Sequence, residues 1–298
     1  MRYSISDLER LSGIHTHTIR MWEQRYNALS PVRSAGNTRY YDDHQLIRLL
    51  NIVTASQRGM KISQICSLSE EAMRQLIEKE IKDTLSPDQQ YEIHISQLLN
   101  FGITYDEPAF STLLSTCIQR YGLKATYKEI IYPLLTRLGL MWQKETVCAA
   151  QEHFLTNIIR QKIFSGINDL IPADRHARTW LLFLPEDEAH EIGLLFANYL
   201  LRQSGQRVIY LGSRVPLESL KEVMESNRVD RMMLFIVQNK LTSDCQQYLE
   251  NLSSIFIDTQ IHLAGNTRLI EHLSLPENIH WFKNIEQFET TINPVTCH

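Results

Sequence analysis

The stretch Leu184–Gly193, LPEDEAHEIG, carries Glu188, His190 and Gly193 in the spacing E-x-H-x-x-G. Trp180–Leu184 before it reads as a short buried strand, and GLLFANYLL after it as a helix. A histidine in a strand-to-helix loop stands at the carboxyl end of a strand, where open α/β sheets bind ligands. Two rival motifs fail. His190-Glu191 could open an H-E-x-x-H zinc site, but the fifth position is Leu194. No G-x-G-x-x-G or Walker loop follows the strand. The motif is short enough to arise by chance, so the plain alternative is a polar loop histidine. Upstream, Trp142 and Glu152-His153 read in isolation as a core tryptophan and a solvated pair.

The elements that must position these residues begin with the bulk properties. With 298 residues, the chain is long enough for two or three domains. Hydrophobic residues make up 43%, yet no apolar run approaches the ~18 residues of a membrane span. The N-terminus has no apolar signal-peptide core. Five scattered cysteines without C-x-x-C argue against a disulfide framework or zinc knuckle, and the expectation is a cytoplasmic protein with no membrane partner. The net charge of -4 hides an asymmetry. Residues 1–75 hold ten Lys+Arg, nine of them Arg, against seven Asp+Glu. A basic head on an acidic body suits a small nucleic-acid module carried by a domain that does not bind nucleic acid.

In that head, Ser4 or Ser6 can cap a helix with Ile5, Leu8 and Leu11 on one face. Ser12-Gly13 breaks it, and a second helix runs from about His15 to Tyr26 with Ile19 and Trp22 inward. This is a helix-turn-helix, whose second helix enters the major groove. Thr16, His17, Arg20, Arg25 and Tyr26 are its candidate contacts with double-stranded DNA. Gly36-Asn37 then marks a turn between segments carrying Arg33, Arg39 and Tyr40, a wing that sets guanidinium groups against phosphates. Asp42 or Asp43 caps a further helix, and Lys61–Ile65 begins a fourth. The run TIRMWEQRYNALSPVRSAGNTRYY, then HQLIRLLNIV, then GMKISQI, resembles the winged helix-turn-helix of MerR-family regulators over about seventy residues. The resemblance implies a dimer on a near-palindromic operator. Arg20, Arg33, Arg39 and Tyr40 then mostly contact backbone, and Thr16 and His17 lie nearer the bases. Residues 70–82 are too short for the long dimerising coiled coil of many such regulators.

The expected domains are 1–80, a winged helix-turn-helix; 88–172, a four-helix bundle; and 178–298, a flavodoxin-like α/β domain. Polar linkers at 83–88 and 173–178 separate them. The bundle helices read as Tyr91–Gly102, Glu107–Tyr121 (capped by Asp106 and ended by Gly122), Thr126–Leu140 and Glu145–Ile171. In the last domain, strands at Trp180–Leu184, Val208–Leu211, Met232–Val237 and Ile261–Ala264 alternate with helices, implying a doubly wound parallel sheet.

The spacing W-x9-E-H of Trp142, Glu152 and His153, ahead of E-x-H-x-x-G, resembles CarH/LitR-type photoreceptor regulators, MerR-family proteins with a cobalamin-binding domain. The resemblance implies that adenosylcobalamin is bound, with Trp142, Glu152 and His153 around its adenosyl group. His190 becomes the lower ligand of the cobalt, a metal that suits neutral imidazole. Glu188 would accept the other ring N–H and fix the tautomer. Gly193 and Gly265 would let the cofactor tail pass close to backbone. Four departures stand against the family pattern: Pro185-Glu186-Asp187 before the motif, a third strand ending Phe235-Ile236-Val237-Gln238 where a Ser or Thr is usual, Ala264 in place of a Gly, and Gln143 in place of the light-state ligand His. The implied function is a DNA-binding transcriptional regulator, a repressor, acting as a homodimer or homotetramer. Its assembly on DNA is gated by the cofactor and released by light. The alternative is a cobalamin-independent regulator whose body serves oligomerisation or partner binding. A corrinoid enzyme ranks last, because no residues remain for a substrate domain.

Overall fold

The computed structural model describes residues 3–12, 14–33, 39–57, 60–69, 71–73, 75–76, 89–143, 148–238 and 240–292. The chain divides into two compact units, Met1–Ile159 and Arg160–His298.

The first unit opens with α1 (Ile5–Ser12). Of the two candidate caps it is Ser4 that acts: its Oγ accepts from Asp7 N–H while Asp7 Oδ2 accepts from Ser4 N–H at 2.9 Å, a reciprocal box. Helix α2 (Thr16–Tyr26) follows and ends on Asn27, whose left-handed φ of 51° closes the last turn. Strands β1 (Val32–Arg33) and β2 (Arg39–Tyr40) pair antiparallel, Val32 with Tyr40 and Arg33 with Arg39, forming the expected wing base. The wing tip, with Asn37, lies outside the described residues. Asp42 caps α3 (Asp43–Gln57) by accepting from Gln45 N–H, and α4 (Ile62–Cys66) follows. Leu8, Ile19, Trp22, Tyr41, Leu49 and Ile52 are buried together as the core of this head.

The bundle helices are α5 (Gln89–Ile103), α6 (Glu107–Thr126), α7 (Tyr132–Gln143) and α8 (Ala149–Asn168). Asp106 caps α6 through Ala109 N–H, as its sequence signals. Gly122 breaks the helix at φ 78°, ψ 156°, but helical geometry resumes at once and passes through a π turn, Tyr127–Ile131, into α7. The expected gap before Thr126 is therefore a kink without a loop. Inside the bundle, Arg137, 2% exposed, makes two 2.6 Å hydrogen bonds to the Glu92 carboxylate. Its charge is thereby matched where water is excluded.

The second unit is a five-stranded parallel sheet in the order β4-β3-β5-β6-β7. The strands are β3 (Thr179–Pro185), β4 (Arg207–Val215), β5 (Arg231–Ile236), β6 (Gln260–Gly265) and β7 (Ile279–Trp281). Helices α9 (Ile192–Gln203), α10 (Leu217–Ser226), α11 (Thr242–Ile255), α12 (Thr267–Ile270) and α13 (Ile285–Ile292) connect and follow them. In strand sequence this is 2-1-3-4-5, the flavodoxin-like order, which reverses direction between β3 and β5. All of β3 is buried, as befits the central strand of a sheet covered on both faces. Leu181, Phe183, Met232, Leu234, Ile261 and Leu263 form one core face. Two features depart from the sequence reading. Strand β4 continues past Leu211 because Gly212 (φ 78°) shifts its register against β3, and it then carries Arg214 at φ 59°. The edge strand β7 was not expected, because three residues leave no periodic signal.

Candidate functional site

The loop after β3 delivers Glu188 and His190 to the switch point between β3 and β5. Glu188 is fully buried. Its Oε1 accepts from the backbone N–H groups of Ala189 and His190, each at 3.0 Å, and lies 2.7 Å from His190 Nδ1. Its Oε2 accepts from Val237 N–H and Gln238 N–H at 2.9 Å, just beyond β5. One carboxylate therefore ties together the loops on both sides of the switch point. Burial, the largest influence, pushes its pKa up. Hydrogen bonds from the His190 ring and from the N–H groups of Gln238, His190 and Val237 outweigh that and hold it at about 2.

Because Glu188 is ionised, Nδ1 of His190 is the donor in their bond. The neutral tautomer then places the lone pair on Nε2, the atom a metal ligand needs. The His190 side chain is 51% exposed. Among the described residues no three His, Cys, Asp or Glu side chains gather as a metal site. A single oriented imidazole suits a metal whose other ligands belong to a macrocycle, as cobalt has in a corrin. The donor set thus fits a cobalamin, whose cobalt His190 would hold.

Neighbouring residues that the sequence did not single out hold this loop. Arg160 Nε approaches Glu191 Oε1 at 2.8 Å, and Tyr210 OH donates to Glu191 Oε2 at 3.3 Å. Burial, then Glu191, pushes the Tyr210 phenol up, keeping it a neutral donor. Arg214 N–H donates to the Glu188 carbonyl. The E-x-H-x-x-G spacing marked Glu188 and His190, but nothing local in sequence marks Arg160, Tyr210 or Arg214, which come from other elements. The two glycines have reasons inside the domain. A Cβ on Gly193 would lie 2.9 Å from Phe235 Cε1, and a Cβ on Gly265 (φ 132°) would lie 2.1 Å from Ile236 O.

In the bundle, Glu152 and His153 stand side by side on α8, Glu152 Oε2 3.2 Å from His153 Nδ1, with the His153 side chain 74% exposed. Trp142 lies in the last turn of α7, and its side chain is outside what is described.

In the head, His17, Arg20 and Arg25 are exposed along α2, while Thr16 is half-buried. Tyr26 packs partly against the core, so part of its role is structural. Arg33 is exposed, and Arg39 and Tyr40 are half-buried on the wing strands. Glu23 of α2, absent from the sequence candidates, accepts from Tyr41 OH at 2.6 Å and lies 3.8 Å from Arg39 Nε. It ties the wing base to the helix expected to enter the groove.

Residues 3–71 match the MerR HTH family regulatory protein profile, and residues 94–164 match the B12 binding domain profile. A winged helix-turn-helix, a B12-binding bundle and a sheet offering a carboxylate-held histidine define a DNA-binding regulator that takes cobalamin. The chain belongs to the CarH family of MerR-type transcriptional regulators. It is 31% identical over 252 residues to the HTH-type transcriptional repressor CarH of Myxococcus xanthus, covering 84% of each chain. It is 26% identical over 254 residues to the repressor CarA of the same organism, covering 84% of this chain and 82% of that one. Among solved structures, the monomethylamine corrinoid protein of Methanosarcina barkeri aligns with a TM-score of 0.49 at 11% identity, over 65% of this chain and 94% of that one.

Proposed function

We propose that the chain is a cytoplasmic, non-enzymatic repressor that occupies an operator as a homodimer or homotetramer. His190, through Nε2, would hold adenosylcobalamin, and its binding would set the assembly state. The observation that carries this reading is the 2.7 Å Glu188–His190 pair at the switch point of a sheet that shares its chain with a winged helix-turn-helix. Bound cofactor would supply a light-sensitive cobalt–carbon bond. The chain's own residues orient the imidazole through Glu188, brace the loop through Glu191 and Arg160, and contact DNA through Thr16, His17, Arg20, Arg25, Arg33, Asn37, Arg39 and Tyr40. Glu152, His153 and Trp142 are assigned to the adenosyl side by the same reading. A cofactor can control operator occupancy only by favouring one assembly state over another.

The test is sedimentation and operator binding of the full chain with adenosylcobalamin, in the dark and after illumination, beside His190→Ala. The expected result is cofactor-dependent assembly and DNA binding in the wild type, both lost in the variant. Operator binding that is the same with and without cofactor would support the second reading, a cobalamin-independent regulator. The contact of Phe235 with Gly193 favours that reading, because it fills space beside the motif.

A further inference from the structure

Phe235 stands on β5 one residue before the strand ends, paired across the ladder with Ala264 of β6. Its ring lies beside Gly193 in α9. A Cβ at Gly193 would sit 2.9 Å from Phe235 Cε1 and 3.1 Å from Cδ1, inside ordinary contact distance. The ring therefore leaves no room for even a Cβ between α9 and β5 at Gly193. The place is three residues after His190 and two before Val237, whose N–H binds Glu188.

Cobalamin hangs its nucleotide arm from the lower face of the corrin. When a protein imidazole takes the lower cobalt position, the displaced benzimidazole and its arm stay on that same face. For a corrinoid ligated by His190, the arm must then lie on the side of the sheet domain. It can enter the crevice between α9 and β5 or run outside it, and the Phe235 ring closes the first route. We propose that Phe235 is a specificity-determining residue that keeps the nucleotide arm of a bound cobalamin out of this crevice, at a cost in affinity that a corrinoid lacking the arm, of the cobinamide class, does not meet. The inference rests on ligation by His190.

The test is a spectroscopic titration of the full chain, in the dark, with adenosylcobalamin and adenosylcobinamide, comparing wild type with Phe235→Ala. Displacing the benzimidazole disfavours cobalamin in both proteins, so it cancels when the variants are compared. The expected result is that Phe235→Ala tightens adenosylcobalamin about tenfold and moves adenosylcobinamide less than about threefold. Equal changes in the two ligands, or no gain for adenosylcobalamin, would overturn the proposal. If Phe235→Ala binds neither, Phe235→Leu decides, because it keeps apolar packing with a shorter reach; it is expected to shift the ratio the same way, and an unchanged ratio would overturn the proposal. A wild type that binds neither corrinoid would overturn the His190 reading itself and this inference with it. A wild type that binds both, with a ratio insensitive to Phe235, would remove this inference alone.

Discussion

Glu188 accepts five hydrogen bonds as a fully buried carboxylate, and an amide cannot repeat that arrangement. In Glu188→Gln the side-chain NH2 must face N–H donors from one loop or the other, leaving buried donors unmet. The expected cost is about 1–3 kcal/mol in urea unfolding at pH 7, with corrinoid affinity weakened roughly 10–100-fold as the imidazole loses its orienting partner. The folded pKa of about 2 lies below the ordinary value of 4.5. The stabilisation is therefore complete above the unfolded value and is lost as pH falls from 4.5 through 2. Wild type and variant should converge over that window. A difference that persists unchanged to the lowest pH would refute the charge argument. His262 gives the opposite kind of group. It is 3% exposed, stacked on Phe282 at 4.8 Å and tilted against Trp180, and it faces Arg231 and His280. Burial first, then the charges of Arg231 and His280, pushes its pKa down from 6.5 to about 3. Below 6.5 the unfolded chain binds a proton that the folded chain refuses, so stability falls by about 1.4 kcal/mol per pH unit toward pH 3. His262→Phe should flatten that slope, read as unfolding midpoints at pH 7 and 4.5. At this scale the sequence exposed Glu188 and His190 because they share one loop. It hid His262, whose surroundings come from segments adjacent only in space.

The helices show what local pattern can and cannot reveal. Caps at Ser4, Asp42 and Asp106 act within three residues, and all were legible. The Gly122 kink was legible as a break, but its immediate continuation into a π turn depends on tertiary packing and was not. Four strands and the flavodoxin-like class could be read from apolar runs alternating with helices, whereas the edge strand β7, only Ile279–Trp281, could not. Gly102 of α5 is a position where helix propensity and packing conflict. Replacing a helical glycine by alanine ordinarily gains about 1 kcal/mol. Here the new Cβ would meet Leu155 of α8 at 2.2, 2.6 and 2.7 Å, through three atoms of one buried side chain. No single flexible tip can swing aside, so overpacking at about 1–3 kcal/mol should win. Gly102→Ala is expected to lower the urea midpoint, and to cost less when introduced into a Leu155→Ala chain, giving a non-additive double-mutant cycle. Strict additivity would show that the two helices do not meet at this contact.

For the whole molecule, the charge asymmetry separates two jobs that mutations should separate as well. Ten basic and seven acidic residues occupy positions 1–75, while 20 basic and 27 acidic residues make up the rest. Phosphate binding releases counterions, so its strength falls with salt at a slope set by the number of contacts. Arg33 on the wing and His190 at the switch point lie in different compact units. In the full chain, Arg33→Ala should weaken operator binding similarly across related sequences. It should also reduce the slope of log affinity against log salt by about 1, with the corrinoid absorption spectrum unchanged. His190→Ala should remove the spectral signature and the response of DNA binding to cofactor, and leave the salt slope as it is. The two effects are independent only if the head contacts phosphate in the same way whichever state the body adopts. A changed salt slope in His190→Ala at matched assembly state would mean that the body alters the number of phosphate contacts directly, beyond fixing how many heads act together.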